Sequence, residues 1–206
     1  MRTLVIDSAT EACSVALFED GLLLAGECHV LGRGHAESLV PMIAALPGKG
    51  KADRIAVSLG PGSFTGLRVG LAAAKALAFA WQAELVGYPT LALIAAQALD
   101  EHSADGVTVC MTGGHGEWFV EDFAPDGSSA RGLVSLTPEP AVAYAGHALV
   151  VGSQAEALVR MRGHGEALPA LPDARRFAVL RSDALTPDTA LLYGRPPDAR
   201  LPGTRP

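Results

Sequence analysis

The sequence predicts an α/β protein built from mixed sheets flanked by helices and divided into two lobes. Three observations lead there. Strand-like apolar runs alternate with helix-like stretches instead of being segregated from them. The chain opens on a hairpin joined by Asp20-Gly21, a pair suited to the two-residue turn that needs positive φ at both central positions. Polarity then rises at residues 102–106 (HSADG), after which a second hairpin-like stretch begins, so the lobes are expected at 1–104 and 105–206.

Taken in order, strands are expected over Thr3 to Asp7, Cys13 to Glu19 and Leu22 to Val30, each apolar and bounded by turn residues. A helix is expected over about 36–46, stopped by Pro47-Gly48, with Pro41 in its first turn or kinking it. Arg54 to Leu59 reads as a strand, and the stretch GPGSFTGLRVG at 60–70 feeds a helix from about Thr65 to Gln82. A short strand from Glu84 to Tyr88 and a helix from Thr90 to about Glu101 follow. In the second lobe Val107 to Met111 and Glu117 to Phe123 form the hairpin, Ala148 to Gly152 a strand, and Ser153 to Met161 a helix opened by a serine cap. From 186 on, the proline- and arginine-rich tail is expected to be irregular.

Composition excludes several classes. A hydrophobic content of 49% is that of a folded globular chain, and a formal charge of −6 argues against a basic nucleic-acid platform. The cysteines, Cys13, Cys28 and Cys110, are odd in number and lack C-x-x-C spacing, which fits a reducing compartment. The first strand reaches Asp7 too soon for a signal peptide, and the most apolar stretch, 66–82, is interrupted by Arg68, Lys75 and Gln82. A cytoplasmic protein without a membrane span is expected.

The glycine-rich turn at 60–66 admits two readings. It follows a strand and opens a helix, so Gly62, Ser63 and Thr65, with Arg68 one turn on and Asp7 at the end of the first strand, could hold an anion or bind a nucleotide weakly. Against this, neither G-x-x-x-x-G-K-[ST] nor G-x-G-x-x-G is met. In the other reading Pro61-Gly62 makes a turn, Ser63 or Thr65 caps the helix, and the glycines allow close packing. Asp7 is likewise either a magnesium ligand or the head of an Asx turn. No firm cofactor follows.

Catalytic equipment is sparse. No H-x-x-x-H pair, zinc-type Cys/His spacing or G-x-S-x-G elbow occurs. His35 and Glu37 could serve as acid and base, although Glu37 also suits a helix N-terminus. No residue is assigned as catalytic and none as a metal ligand.

The helix at 65–82 carries Arg68, Lys75 and Gln82 along one narrow line and is apolar or small elsewhere. The helix before it, with Leu39, Val40, Met42, Ile43 and Leu46, also exceeds one stripe. Either these helices bury each other and the third helix, or they form a partner interface through Leu39, Met42, Ile43, Leu46, Leu67, Gly70, Leu71, Ala74, Ala78 and Trp81. On the second reading, Leu71→Glu or Ala78→Glu is expected to prevent docking at little cost to the fold.

The stretches LVIDSAT, CSVAL, GHAESLVPMI, IAVSLGPGSFTGLRVGLAAAKALA and LLYGRPPDA together resemble the TsaB family, also called YeaZ. The resemblance implies an actin-like fold of the sugar kinase and heat-shock ATPase type. It further implies a non-catalytic subunit in the formation of threonylcarbamoyladenosine in tRNA, pairing with the transferase TsaD through the helices at 36–46 and 65–82. A TsaE-like ATPase joins as a further partner, the isolated chain forms a homodimer through the same helices, and any tRNA contact is indirect or local. The alternative is an active actin-like ATPase or kinase using Asp7 and the turns at 60–66 and Gly113-Gly114. The run MTGGHGE at Met111–Glu117 departs from the family pattern.

Overall fold

The computed structural model describes residues 1–193. The irregular tail expected from 186 lies outside the described residues beyond that point, as does most of LLYGRPPDA. The first five-stranded sheet consists of β1 (Arg2–Asp7), β2 (Ala12–Glu19), β3 (Leu22–Val30), β4 (Arg54–Ser58) and β5 (Glu84–Tyr88), in the order β3-β2-β1-β4-β5. The second consists of β6 (Val107–Thr112), β7 (Trp118–Phe123), β8 (Ser129–Leu136), β9 (Leu149–Val151) and β10 (Glu166–Leu168), in the order β8-β7-β6-β9-β10. In each sheet three antiparallel strands come first in the chain, and two parallel strands follow on the other side of the opening strand. The two halves thus repeat one topology.

Asp20 and Gly21 have φ of 50° and 83°, the paired positive values that tighten the turn between β2 and β3. Both β1 and β2 are buried almost throughout, because the sheet is covered on both faces. On one face Leu4, Ile6, Val15, Leu17, Ile55 and Val57 meet α1 (His35–Ala45) and α2 (Phe64–Trp81). On the other, Val5, Ala16, Phe18, Ala56 and Val86 meet Tyr88 and two later pieces of chain, Leu93 and Ala174.

Leu93 belongs to α3 (Thr90–Glu101), which lies between the sheets. Leu93 faces the first sheet, whereas Leu91, Ile94, Ala95 and Ala98 pack on Val107, Val109 and Phe119 of the second. This is the helix sheathed all round: every residue from Thr90 to Ala96 is buried. The far face of the second sheet is closed by α4 (Pro138–Tyr144) and α5 (Ala155–Arg162), with Ala141, Ala155 and Leu158 against Cys110, Val120 and Val150.

Three elements, β8, α4 and β10, were not anticipated from the sequence. Ser153 also does not cap α5. Its hydroxyl instead accepts the N–H of Thr112 at 3.0 Å, joining the helix start to β6. Pro41 sits inside α1, beyond its first turn.

After β10 the chain returns to the first sheet. Gln97 clasps it on the way, donating to Leu171 O at 3.1 Å and accepting from Asp173 N at 2.9 Å. Ala174 N then donates to Ser14 Oγ at 2.9 Å, and Phe177 sets its ring 6.1 Å from Phe18 and 5.5 Å from Tyr88. Sequence position assigns these residues to the second lobe, but their packing belongs to the first. Phe177→Ala is therefore expected to lower the unfolding free energy by about 3 kcal/mol, read from denaturant midpoints, since it empties the space over Tyr88.

Candidate functional site

The ends of the two sheets face each other across a cleft of about 1130 Å³. Its floor and one wall come from the turn Ala9–Glu11, the start of α1 and the start of α2. The opposite wall comes from Met111 to His115, Glu117, Phe119, Ser135 and Ser153, and Tyr193 lies at the margin.

The glycine-rich turn is positioned by backbone contact. Ser63 N donates to Ala9 O at 2.6 Å, and Ser8 Oγ donates to Gly66 O at 2.9 Å. Ser63, not Thr65, caps α2, accepting from Gly66 N at 3.3 Å. A Cβ on Gly62 would run into Ala9 O, one on Gly66 into Ser8 O, and one on Gly70 into Ser8 Oγ. These glycines are required because α2 lies against the end of β1, which is the close-packing reading of the motif.

Asp7 is not in the cleft. It is fully buried, with Oδ1 accepting from Ala9 N at 3.0 Å and Oδ2 from the Tyr88 hydroxyl at 3.0 Å. The first bond is the Asx turn; the second closes the carboxylate off. Burial pushes the carboxyl up from its ordinary 3.8 to about 6, opposed by those two donors, which favour the anion. Of the two readings of Asp7, the structure has the Asx turn, and the carboxylate is not placed to reach a metal ion in the cleft. Among the described residues no group of three or more His, Cys, Asp and Glu could hold a metal ion.

Gly62, Ser63, Thr65 and Arg68 do line the cleft. The Arg68 guanidinium lies 3.5 Å over the centroid of Phe64. His35 is buried, and its Nε2 faces only carbonyls, Thr10 O at 2.8 Å and Ala12 O at 3.3 Å, so it donates there and ties α1 to the β1–β2 turn. Glu37 stands exposed in the first turn of α1. The pair is not assembled for acid–base exchange. Arg33, Phe64, Glu117 and Tyr193 also line the cleft and were not singled out by sequence; no motif joins residues so far apart in the chain.

The expected interface residues need correction. Leu39, Met42, Ile43, Leu46, Leu67, Gly70, Leu71 and Ala74 are buried in the chain's own structure, because their helix faces cover the first sheet. Ala78 and Trp81 are half-buried. The faces turned outward carry Val40, Pro41, Ala44 and Ala45 on α1, and Ala72, Lys75, Ala76, Phe79 and Ala80 on α2. Phe79 is 83% exposed and Val40 59%. Leu71→Glu would place a charge in the core, so it cannot report on docking at an intact surface.

The repeated sheet topology and the cleft between the repeats define a two-lobed protein of the actin-like class. Residues 29–132 match the family model described as TsaD, tRNA N6-adenosine threonylcarbamoyltransferase. The chain is 35% identical over 131 residues to the Escherichia coli tRNA threonylcarbamoyladenosine biosynthesis protein TsaB, covering 61% of this chain and 56% of that protein. It is 31% identical over 155 residues to an uncharacterized Mycobacterium tuberculosis protein, covering 69% and 71%. YeaZ from Pseudomonas aeruginosa superposes with a TM-score of 0.73 at 29% identity, over 87% of this chain and 89% of that one. The chain belongs to the TsaB (YeaZ) family. It spans about half the length of the TsaB relatives it matches in Escherichia coli and Haemophilus influenzae, at 56% and 49%.

Gly66→Ala should cost about 3 kcal/mol in chemical denaturation, because the neighbour it meets is a backbone carbonyl that cannot swing aside. Asp7 has a folded-state pKa above its unfolded value, so its contribution is greatest below about pH 4 and is lost as pH rises through about 6. Asp7→Asn, compared with the native chain at pH 4 and pH 7.5, should gain relative stability on the order of 3 kcal/mol between the two.

Proposed function

We propose that this chain is a non-catalytic scaffold subunit that supports a TsaD-like threonylcarbamoyltransferase in forming threonylcarbamoyladenosine in tRNA. The observation that carries the reading is the outward face of α2, where Phe79 stands 83% exposed among Ala72, Ala76 and Ala80, with Lys75 the one charged side chain on that face. An isolated exposed leucine would be ordinary, but a phenylalanine in a row of alanines lets a second helix approach closely and then be anchored. Val40, Pro41 and Ala44 extend the apolar area on α1, which packs beside α2. Ala78 and Trp81 border that face, so part of the sequence-based interface is kept and shifted by a quarter turn.

In this proposal the lobe 1–104 presents the docking face and the described part of the lobe 105–206 packs against its other side, with Phe177 set on Phe18 and Tyr88 of the first sheet. The same face serves a homodimer when the transferase is absent, and a TsaE-like ATPase joins the assembled pair. With a formal charge of −6, any tRNA contact is local and the complex acts in the cytoplasm. No helix among the described residues is long and apolar enough to cross a membrane. The competing reading, an ATPase or kinase built on Asp7, lacks an observation in its favour, since that carboxylate is walled off from the cleft.

Phe79→Glu should leave thermal unfolding within a degree or two of the native chain, because the side chain supports nothing in the fold. It should weaken co-purification with the TsaD-like protein of the same organism at least about tenfold, since an anchoring phenylalanine contributes about 2 kcal/mol when buried. Undiminished binding by a folded Phe79→Glu chain would sink the proposed surface.

A further inference from the structure

The first sheet has one long edge left open. β3 runs for nine residues, Leu22–Val30, and among the described residues no strand lies on its outer side. The other sheet edges are closed, broken or short. On β5, Gly87 and Thr186 exchange two backbone hydrogen bonds of 2.8 and 3.0 Å. β8 loses its regular pairing opposite Asp122, and its Gly132 carbonyl accepts from the Tyr144 hydroxyl at 2.5 Å. β10 has only three residues. β3, by contrast, has neither the lysine nor the proline that blunts an edge, and it exposes Leu22 at 74% and Val30 at 71%, with Leu23 and Leu24 also open. Its one irregularity falls at Leu24 and leaves Ala25–Val30 in regular register with Ala12–Leu17.

An open antiparallel edge can pair with a second copy of itself. The two-fold axis that joins them stands perpendicular to the sheet and passes beside one residue, and that residue fixes every pair. With the axis at Glu27, two carboxylates face each other, which is unfavourable. At His29 two imidazoles do so, and at Gly26 the Glu27 carboxylate faces Ala25. At Cys28 the chemistry matches. Glu27 of each copy then faces His29 of the other, and Val30 covers the bare backbone of Gly26. Glu27 and His29 lie on the α1 side of the sheet and Gly26, Cys28 and Val30 on the opposite side, so each pair shares a face. Within one strand His29 Nε2 and Glu27 Oε2 already lie 3.1 Å apart, so the axis would bring together four alternating groups.

We propose that β3 pairs with β3 of a second copy of this chain, antiparallel about an axis at Cys28, joining the two first sheets into one. The contact is separate from the docking face and does not rest on that reading. α2 packs over β1, β4 and β5, away from β3 in the strand order β3-β2-β1-β4-β5, so the joined sheet leaves Phe79 open.

The test uses the chain's own cysteine. Copper phenanthroline oxidation of the full chain should give a disulfide-linked dimer through Cys28, because facing residues of an antiparallel pair have Cα atoms about 4.5–5.5 Å apart, within disulfide reach. Cys13 and Cys110 are buried, so Cys28→Ser should give none. Glu27→Cys in the Cys28→Ser chain should link at least about tenfold more slowly, since residue 27 and its copy stand diagonally, about 7–8 Å apart. In sedimentation equilibrium, His29→Glu should raise the dimer dissociation constant at least about tenfold with thermal unfolding unchanged, and Glu27→Lys added to His29→Glu should restore it. Phe79→Glu should keep this dimer and His29→Glu should keep the transferase partner, so failure of one reading is told apart from failure of the other. The proposal is overturned if the chain is a monomer at about 100 μM. It is equally overturned if Phe79→Glu alone abolishes the dimer, if Cys28 gives no linked dimer, if Glu27→Cys links as fast as Cys28, or if the paired charge reversal fails to restore association.

Discussion

The contact between the start of α2 and the end of β1 governs most of what this molecule presents to its surroundings. Three glycines, Gly62, Gly66 and Gly70, bring a helix against the backbone and hydroxyl of Ser8 and the carbonyl of Ala9, closer than any side chain would allow. Ser63 and Ser8 fasten it there with hydrogen bonds running in both directions. Once the helix is seated, its rotation about its own axis is fixed. Leu67, Leu71 and Ala74 point into the sheet, and Phe79 can only point away from it.

The same seating shapes the cleft. It places the first turn of α2 beside the first turn of α1, whose own position is held by the His35 ring on the carbonyls of Thr10 and Ala12. A motif that looks like a phosphate loop has thus become, in its glycines, a packing device, while the exposed side chains of the same turn still face a cavity. Asp7 follows the same pattern. In a cleft open to water its carboxylate could meet a cation; here Tyr88, pressed from behind by Phe177, occupies both its space and one of its oxygens. Burying that carboxylate is unfavourable, and its raised pKa records how much of the unfavourable term its hydrogen bonds leave unrelieved.

Two lobes with identical strand order are nevertheless not independent units. α3 fills the space between the sheets with side chains for both, and the segment from Leu171 to Leu185 crosses back over the first sheet. Closing one lobe therefore requires residues that follow the other in sequence. A chain of this length secures two small sheets by sharing cover between them, where each alone would leave a face exposed.

Much of the architecture was legible without coordinates. Eight strands and four helices follow from alternation, turn pairs such as Asp20-Gly21 and breakers such as Pro47-Gly48, because these signals act within a few residues. β8, α4 and β10 were not legible, since Gly132, two prolines and a three-residue strand carry little local preference and are held by neighbours. The candidate site divided in the same way. The sequence by itself determined that α2 has more apolar surface than one stripe and that a helix begins after Gly62. Only the tertiary structure decided which stripe is covered, that Asp7 faces inward, and that Tyr193 reaches Phe64. Each of those depends on which elements lie side by side, and the energy of burial attaches to the neighbour a side chain meets, whatever its place in the chain.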